Sequence, residues 1–122
     1  MKKYNVVIVG ALGAVGNEFR KILLQRKFPI DKIKFVDLTD VGTEVQFGDI
    51  KVKVEAPSDD TFKGYDIALF SAGGDVSLEI AKKAAADGCI FIDNSSAWRM
   101  DPEVPLVVPE VNPDDVKWHK GI

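Results

Sequence analysis

Three glycines, Gly10, Gly13 and Gly16, stand within Gly10-Ala11-Leu12-Gly13-Ala14-Val15-Gly16, directly after the apolar run Asn5-Val6-Val7-Ile8-Val9. Glycines at such a place permit a tight turn and let backbone approach a pyrophosphate. If a helix follows, its free N–H groups and positive dipole end face the anion. The spacing is GxxGxxG rather than GxGxxG, and glycine turns without a ligand are common. A second small-residue cluster, Ser71-Ala72-Gly73-Gly74, follows another apolar run and precedes another helical pattern. It is either the second wall of the same site or a plain turn. Asp37 lies about twenty residues beyond Gly16, the separation expected of a carboxylate that accepts hydrogen bonds from both hydroxyls of an adenosine ribose. A 2′-phosphate would meet that carboxylate as a like charge, so the residue favours NAD over NADP. The alternative is a solvated loop acid beside Asp40.

Other reactive side chains are sparse. Arg99 is the one arginine in the second half of the chain and follows Asn94-Ser95-Ser96-Ala97-Trp98. It would clamp a phosphate or carboxylate in bidentate fashion, or make a surface salt bridge. Cys89 opens an apolar run with no cation or base evident to activate it, so a small buried residue is expected rather than a nucleophile. A single cysteine excludes an internal disulfide and any multi-cysteine metal site. His119 has no partner ligand or nucleophile in view and is expected in solvent. Neither a catalytic residue nor a metal ligand is predicted.

The elements that must position these groups follow from periodicity. Val6 to Val9 is short, β-branched and without alternation, as in a strand covered on both faces. Beyond the glycines, Val15, Phe19, Ile22 and Leu23 fall on one helical face, with Glu18, Arg20, Lys21 and Arg26 pointing elsewhere. Lys32-Ile33-Lys34-Phe35-Val36-Asp37 reads as a second strand. In 44–54 the period becomes two, with Gly48-Asp49 between Val45, Phe47 and Ile50, Val52, Val54, which predicts a β-hairpin. Tyr65-Asp66-Ile67-Ala68-Leu69-Phe70 is another buried strand. Asp75 can cap the next helix, whose inner face carries Val76, Ile80, Ala81, Ala84 and Ala85 and which stops at Asp87-Gly88. Cys89-Ile90-Phe91-Ile92-Asp93 is a further strand, and Asn112 can cap a last turn opened by Pro113. The implied fold is α/β, a Rossmann-like parallel sheet of five or six strands with helices on both faces and an inserted β-hairpin. In such sheets ligands bind beyond the carboxyl ends of the strands, which places the two glycine loops side by side.

Composition sets the frame. The chain has 122 residues, 46% hydrophobic and 29% charged, enough for a single core, and residues 1–122 are expected to form one dinucleotide-binding domain. A net charge of −3 and the lack of a Lys/Arg block argue against a nucleic-acid partner. No apolar stretch approaches a membrane span, and Met1-Lys2-Lys3 leads straight into the first strand, so a cytoplasmic protein is expected.

Four stretches carry a family resemblance. Gly10 to Gly16, Phe70-Ser71-Ala72-Gly73-Gly74, Asp93-Asn94-Ser95-Ser96-Ala97-Trp98-Arg99-Met100-Asp101-Pro102 and Val104-Pro105-Leu106-Val107-Val108-Pro109-Glu110-Val111-Asn112-Pro113 resemble the amino-terminal domain of bacterial aspartate-semialdehyde dehydrogenases. The resemblance implies that Gly10, Gly13, Ala14, Val15 and Gly16 wrap the cofactor pyrophosphate, with Leu12 a further cofactor-binding position in the same loop. It places Ser71, Ala72 and Gly73 along the cofactor cleft and Arg99 on a substrate phosphate. In that family a cysteine thiolate attacks the aldehyde, hydride passes to NADP, and phosphate releases aspartyl phosphate; biosynthesis runs the reverse. Three departures matter. Leu12 stands where the family usually has threonine. Asp37-Leu38-Thr39-Asp40-Val41-Gly42 replaces Ser-x-Arg-Ser-Ala-Gly, so Asp37 and Thr39 remove the family's device for a 2′-phosphate. The family's Asn-Pro-Asn-Cys segment and its carboxy-terminal substrate and dimerisation domain have no counterpart here. The expectation is therefore a cofactor-binding domain, for NAD by its residues or NADP by its family, without turnover alone and monomeric or weakly self-associating. A scaffold or interaction module, and an enzyme completed by a separate chain, are the competing readings.

Overall fold

The computed structural model describes residues 2–122. Its centre is β1 (Tyr4–Val9), whose last four residues are buried because neighbouring strands and a layer on each face surround them. Strand β2 (Ile30–Val36) pairs parallel with one side of β1, Val6 opposite Ile33, and β5 (Ile67–Phe70) pairs parallel with the other, Val6 opposite Ile67. Beyond β5 lies β6 (Ile90–Asp93), again parallel, with Ile67 opposite Ile90. The expected parallel core is therefore present.

The hairpin forms as β3 (Glu44–Phe47) and β4 (Ile50–Glu55), with Gly48 at φ 59 in the first loop position, as a type II′ turn requires. β4 joins β2 in parallel and β3 is left at the edge, giving the order β3-β4-β2-β1-β5-β6. Ile50 shares the inward parity of Val52 and Val54 and pairs with the buried Phe47, yet at the hairpin tip it stays exposed.

Helix α1 (Ala14–Gln25) covers one face and α2 (Gly74–Ala86) the other. Alternate β1 residues serve the two layers: Ile8 packs with Phe35, Phe47, Phe19 and Leu23, whereas Val7 and Val9 pack with Ala68, Phe70, Phe91, Ala81 and Ala84. Phe35 meets Phe47 edge to face at 5.8 Å.

Several local expectations need correction. Val15 and Ile22 are exposed; the inward stripe of α1 is rotated and runs through buried Gly16 and half-buried Phe19 and Leu23, because Gly16 lets the helix approach the strand turn. Arg20 does not point away: it is half-buried, with its guanidinium 5.8 Å from the Phe35 ring centre. Gly73, not Asp75, is the N-cap of α2, since that helix starts one residue before the acid. Asn112 makes no side-chain cap; its amide instead accepts from the Val108 N–H and donates to the Leu106 carbonyl and the Asp115 carboxylate. The turn it precedes, Pro113–Trp118, is a 3-10 helix. α2 does stop at Asp87, with Gly88 at φ 82 just beyond.

Candidate functional site

The two glycine loops meet at the carboxyl end of the sheet. Gly10, at φ 81, closes β1, and a Cβ built there would lie 2.1 Å from the Ser71 carbonyl oxygen. Only glycine allows the first loop to touch the second so closely. Gly16 answers a different need: its Cβ would lie 2.1 Å from the Gly10 carbonyl oxygen, so a bare Cα lets α1 pack onto the turn it leaves. At Gly13 the situation reverses. It has φ −74, and its Cβ would meet protein only at an ordinary 3.6 Å, so the fold itself does not exclude a side chain there.

Gly10, Leu12, Gly13, Asp37, Thr39, Asp40, Ser71 and Ala72 line one cleft of about 270 Å³. Residues separated by more than sixty positions thus share a surface, as strand order rather than sequence proximity dictates. Asp37 immediately follows β2. Its Oδ2 accepts the Leu12 N–H at 3.0 Å and its Oδ1 accepts the Leu38 N–H at 2.8 Å. The carboxylate is thereby fixed against the first glycine loop instead of standing loose in solvent, and each oxygen retains a lone pair for a further donor.

The remaining predicted residues sit around this cleft or away from it. Ala14 and Val15 form the first turn of α1, and Gly13 precedes it as N-cap with no side-chain cap. The first-turn N–H groups therefore point out of the helix end without a protein side-chain acceptor. Gly73 is the equally uncapped start of α2. Two helix N-termini consequently flank the cleft region, an arrangement suited to an anion. Leu12 packs its side chain toward the Ile8 and Phe35 layer and offers only its backbone. Arg99 is not part of the cleft lining. It is exposed in the loop after β6, where its guanidinium donates to the Ser95 carbonyl at 3.3 Å.

That loop is held by a network of side chains of which sequence periodicity gives no sign. Ser77 is fully buried in α2; its hydroxyl donates to Asp93 Oδ2 at the end of β6 and accepts the Trp98 indole N–H at 2.8 Å. Ser95 completes it, donating its hydroxyl to the same Asp93 oxygen at 2.9 Å and its N–H to Oδ1 at 2.6 Å. A serine among the alanines of a buried helical face was the available signal.

Cys89 is buried, as its sequence context predicts, and desolvation with help from the charges of Asp66 and Asp87 pushes its thiol up to about 12. It stays protonated and unreactive at neutral pH. His119 is half-buried rather than solvated, its Nδ1 accepting the Gly121 N–H at 2.9 Å. No group of three or more His, Cys, Asp or Glu side chains that could hold a metal ion occurs among the described residues. Among the described residues no helix is long and apolar enough to cross a membrane.

A family model for the NAD binding domain of semialdehyde dehydrogenase matches residues 5–119. The chain belongs to this family. It is 54% identical over 116 residues to the aspartate-semialdehyde dehydrogenase of Aquifex aeolicus, covering 93% of this chain and 34% of that protein. It is 46% identical over 119 residues to the Bacillus subtilis enzyme of the same name, covering 97% of this chain and 34% of the relative. The crystal structure of aspartate semialdehyde dehydrogenase II from Vibrio cholerae superposes with a TM-score of 0.88 at 38% identity, over 96% of this chain and 35% of that one. The chain thus spans about a third of the length of the curated relatives it matches. The fold is the Rossmann-like α/β sheet of those enzymes.

Proposed function

We propose that this chain is the dinucleotide-binding domain of an aspartate-semialdehyde dehydrogenase-like oxidoreductase and that it prefers NAD to NADP. The observation that carries the reading is the cleft in which both glycine loops meet Asp37, whose carboxylate is fixed by the Leu12 N–H at 3.0 Å. The residues fit such a ligand. Gly10, Leu12, Gly13, Ala14, Val15 and Gly16 offer backbone and an uncapped helix end to a pyrophosphate, and Ser71 and Ala72 form the opposite wall, with Gly73 following them at the start of α2. Gly13, which the fold does not require to be glycine, leaves room for a ligand's close approach.

Asp37 and Thr39 decide between the two cofactors. The carboxylate accepts the ribose hydroxyls of NAD, whereas a 2′-phosphate meets like charge and, with threonine where the family pattern has arginine, finds no cation. Losing a charge-assisted contact and gaining a repulsive one each cost on the order of 1 to 3 kcal/mol, so NADP binds at least about tenfold more weakly.

In the whole protein a bound nicotinamide dinucleotide supplies or accepts the hydride, the proposed reaction being interconversion of aspartyl phosphate and aspartate semialdehyde. Arg99 is assigned to the substrate phosphate. The thiolate that such a reaction needs is not Cys89, whose thiol is buried and neutral, so these 122 residues bind but do not turn over alone. Titration calorimetry with NAD and NADP tests the reading. NAD is expected to bind more tightly, and Asp37→Ser combined with Thr39→Arg to reverse the order. Equal or tighter NADP binding by the unmodified chain refutes the assignment of Asp37, and no binding of either dinucleotide refutes the function.

A further inference from the structure

We infer that Asp40 is a second specificity-determining residue of the cleft, repelling a 2′-phosphate through its charge without contacting NAD. The inference rests on the dinucleotide reading of the cleft. Asp40 lines the cleft together with Asp37 and Thr39, and no lysine or arginine does. Unlike Asp37, its carboxylate has no hydrogen-bond or ion-pair partner among the described residues, so its charge is uncompensated. Nor is the residue on a loosely held loop. Its carbonyl accepts the Thr43 N–H at 3.1 Å, the Gly42 N–H donates to Val54 at 2.8 Å, and the Asp37 N–H donates to Glu55 at 3.1 Å, so both ends of the loop are tied to β4.

The backbone adds a second mark. Asp40 has φ 55, in the left-handed region that side chains other than aspartate and asparagine rarely adopt. Glycine would suit that conformation at less cost, yet the position carries an acid at the cleft lining. Two carboxylates and no cation therefore line the cleft in which Asp37 would receive the ribose. A 2′-phosphate, itself close to doubly charged at neutral pH, would enter a field that NAD, with hydroxyls there, does not feel.

Asparagine tolerates the same left-handed backbone, so Asp40→Asn removes the charge and little else. Calorimetric titration of the unmodified chain and the variant with NAD and NADP, at low and high salt, is the test. D40N is expected to tighten NADP by about three- to tenfold while leaving NAD within about twofold. In the unmodified chain, rising salt narrows the gap between the two ligands, and in D40N it narrows it less, because a screened repulsion is what has been removed. An NADP to NAD ratio that D40N leaves unchanged, with NAD still bound, overturns the inference and spares the function. Equal weakening of both ligands with a lowered Tm shows a structural role and overturns it too. Failure of the unmodified chain to bind either dinucleotide overturns both readings together.

Discussion

Replacing Gly10 and Gly13 separately by alanine should divide folding from binding. At Gly10 the new methyl carbon lies 2.1 Å from the Ser71 carbonyl oxygen and 2.7 Å from its carbon, both backbone atoms that cannot swing aside. Ordinary contact needs a shift of about 1 Å or more between the two loops. Holding alanine at φ 81 costs roughly a further 1 to 2 kcal/mol. Separation of the loops also weakens the bonds from the Gly10 N–H to Val36 and from the Ser71 N–H to Val9, both 2.9 Å, at about 1 kcal/mol each. The sum, about 3 to 4 kcal/mol, is large for one methyl group, and for a domain of this size it lowers Tm by about 10 to 15 °C. Gly13→Ala meets nothing closer than 3.6 Å at an ordinary φ, so its Tm should stay within about 3 °C while its methyl, at the cleft lining, weakens NAD by about tenfold or more. Thermal unfolding followed by circular dichroism, with calorimetric titration of each variant, reads both effects. A Gly10→Ala chain melting within about 3 °C of its parent refutes the steric account, and undiminished NAD binding by Gly13→Ala refutes the ligand account.

Ser77→Ala leaves the buried Trp98 indole N–H unpaired and takes one donor from Asp93, so a loss of about 1 to 3 kcal/mol and altered Trp98 fluorescence are expected; an unchanged Tm and spectrum argue against the network. The Cys89 thiol has a folded pKa of about 12 against 9.0 for the free group, so the folded state holds a proton that the unfolded chain releases. The stability this contributes is full below pH 9.0 and is lost as pH rises from there toward about 12; Cys89→Ala should flatten that alkaline decline in urea titrations at several pH values, and an identical decline counts against the burial of the thiol. Leu106, Val108, Val111, Val116 and Trp118 are exposed along the last part of the chain, apolar surface available for contact. Sedimentation should show a monomer or a weakly associating species, and a tight dimer at low micromolar concentration is the contrary result.

The sequence by itself determined the order of elements and the location of the cleft. Strand, glycine turn and helix follow one another within a dozen or so residues at 5–16 and again at 67–77, where β-branched runs, glycines and helical spacing are all local signals. A parallel sheet then follows, because β1, β2, β5 and β6 are separated by chain long enough to cross over, and ligands in such sheets gather at the carboxyl ends. Asp37 was legible for the same reason, as the first residue past β2.

Tertiary structure alone decided what depends on contacts between distant segments. Periodicity allows several rotations of α1 about its axis, and the close approach at Gly16 selects the one that turns Phe19 and Leu23 onto the core and leaves Val15 and Ile22 exposed. Gly10 is recognisable from its context as a turn residue, but its contact with Ser71 needs β1 and β5 to be neighbours. Ser77, Asp93 and Trp98 lie up to 21 positions apart and meet only once α2 has packed against β6. Asp40 comes to line the cleft in a loop whose two ends are hydrogen-bonded to β4, a strand well beyond it in sequence. Local preference writes the elements into the chain, whereas the rotation of a helix or the aim of a loop is settled by whichever distant surface it must fit.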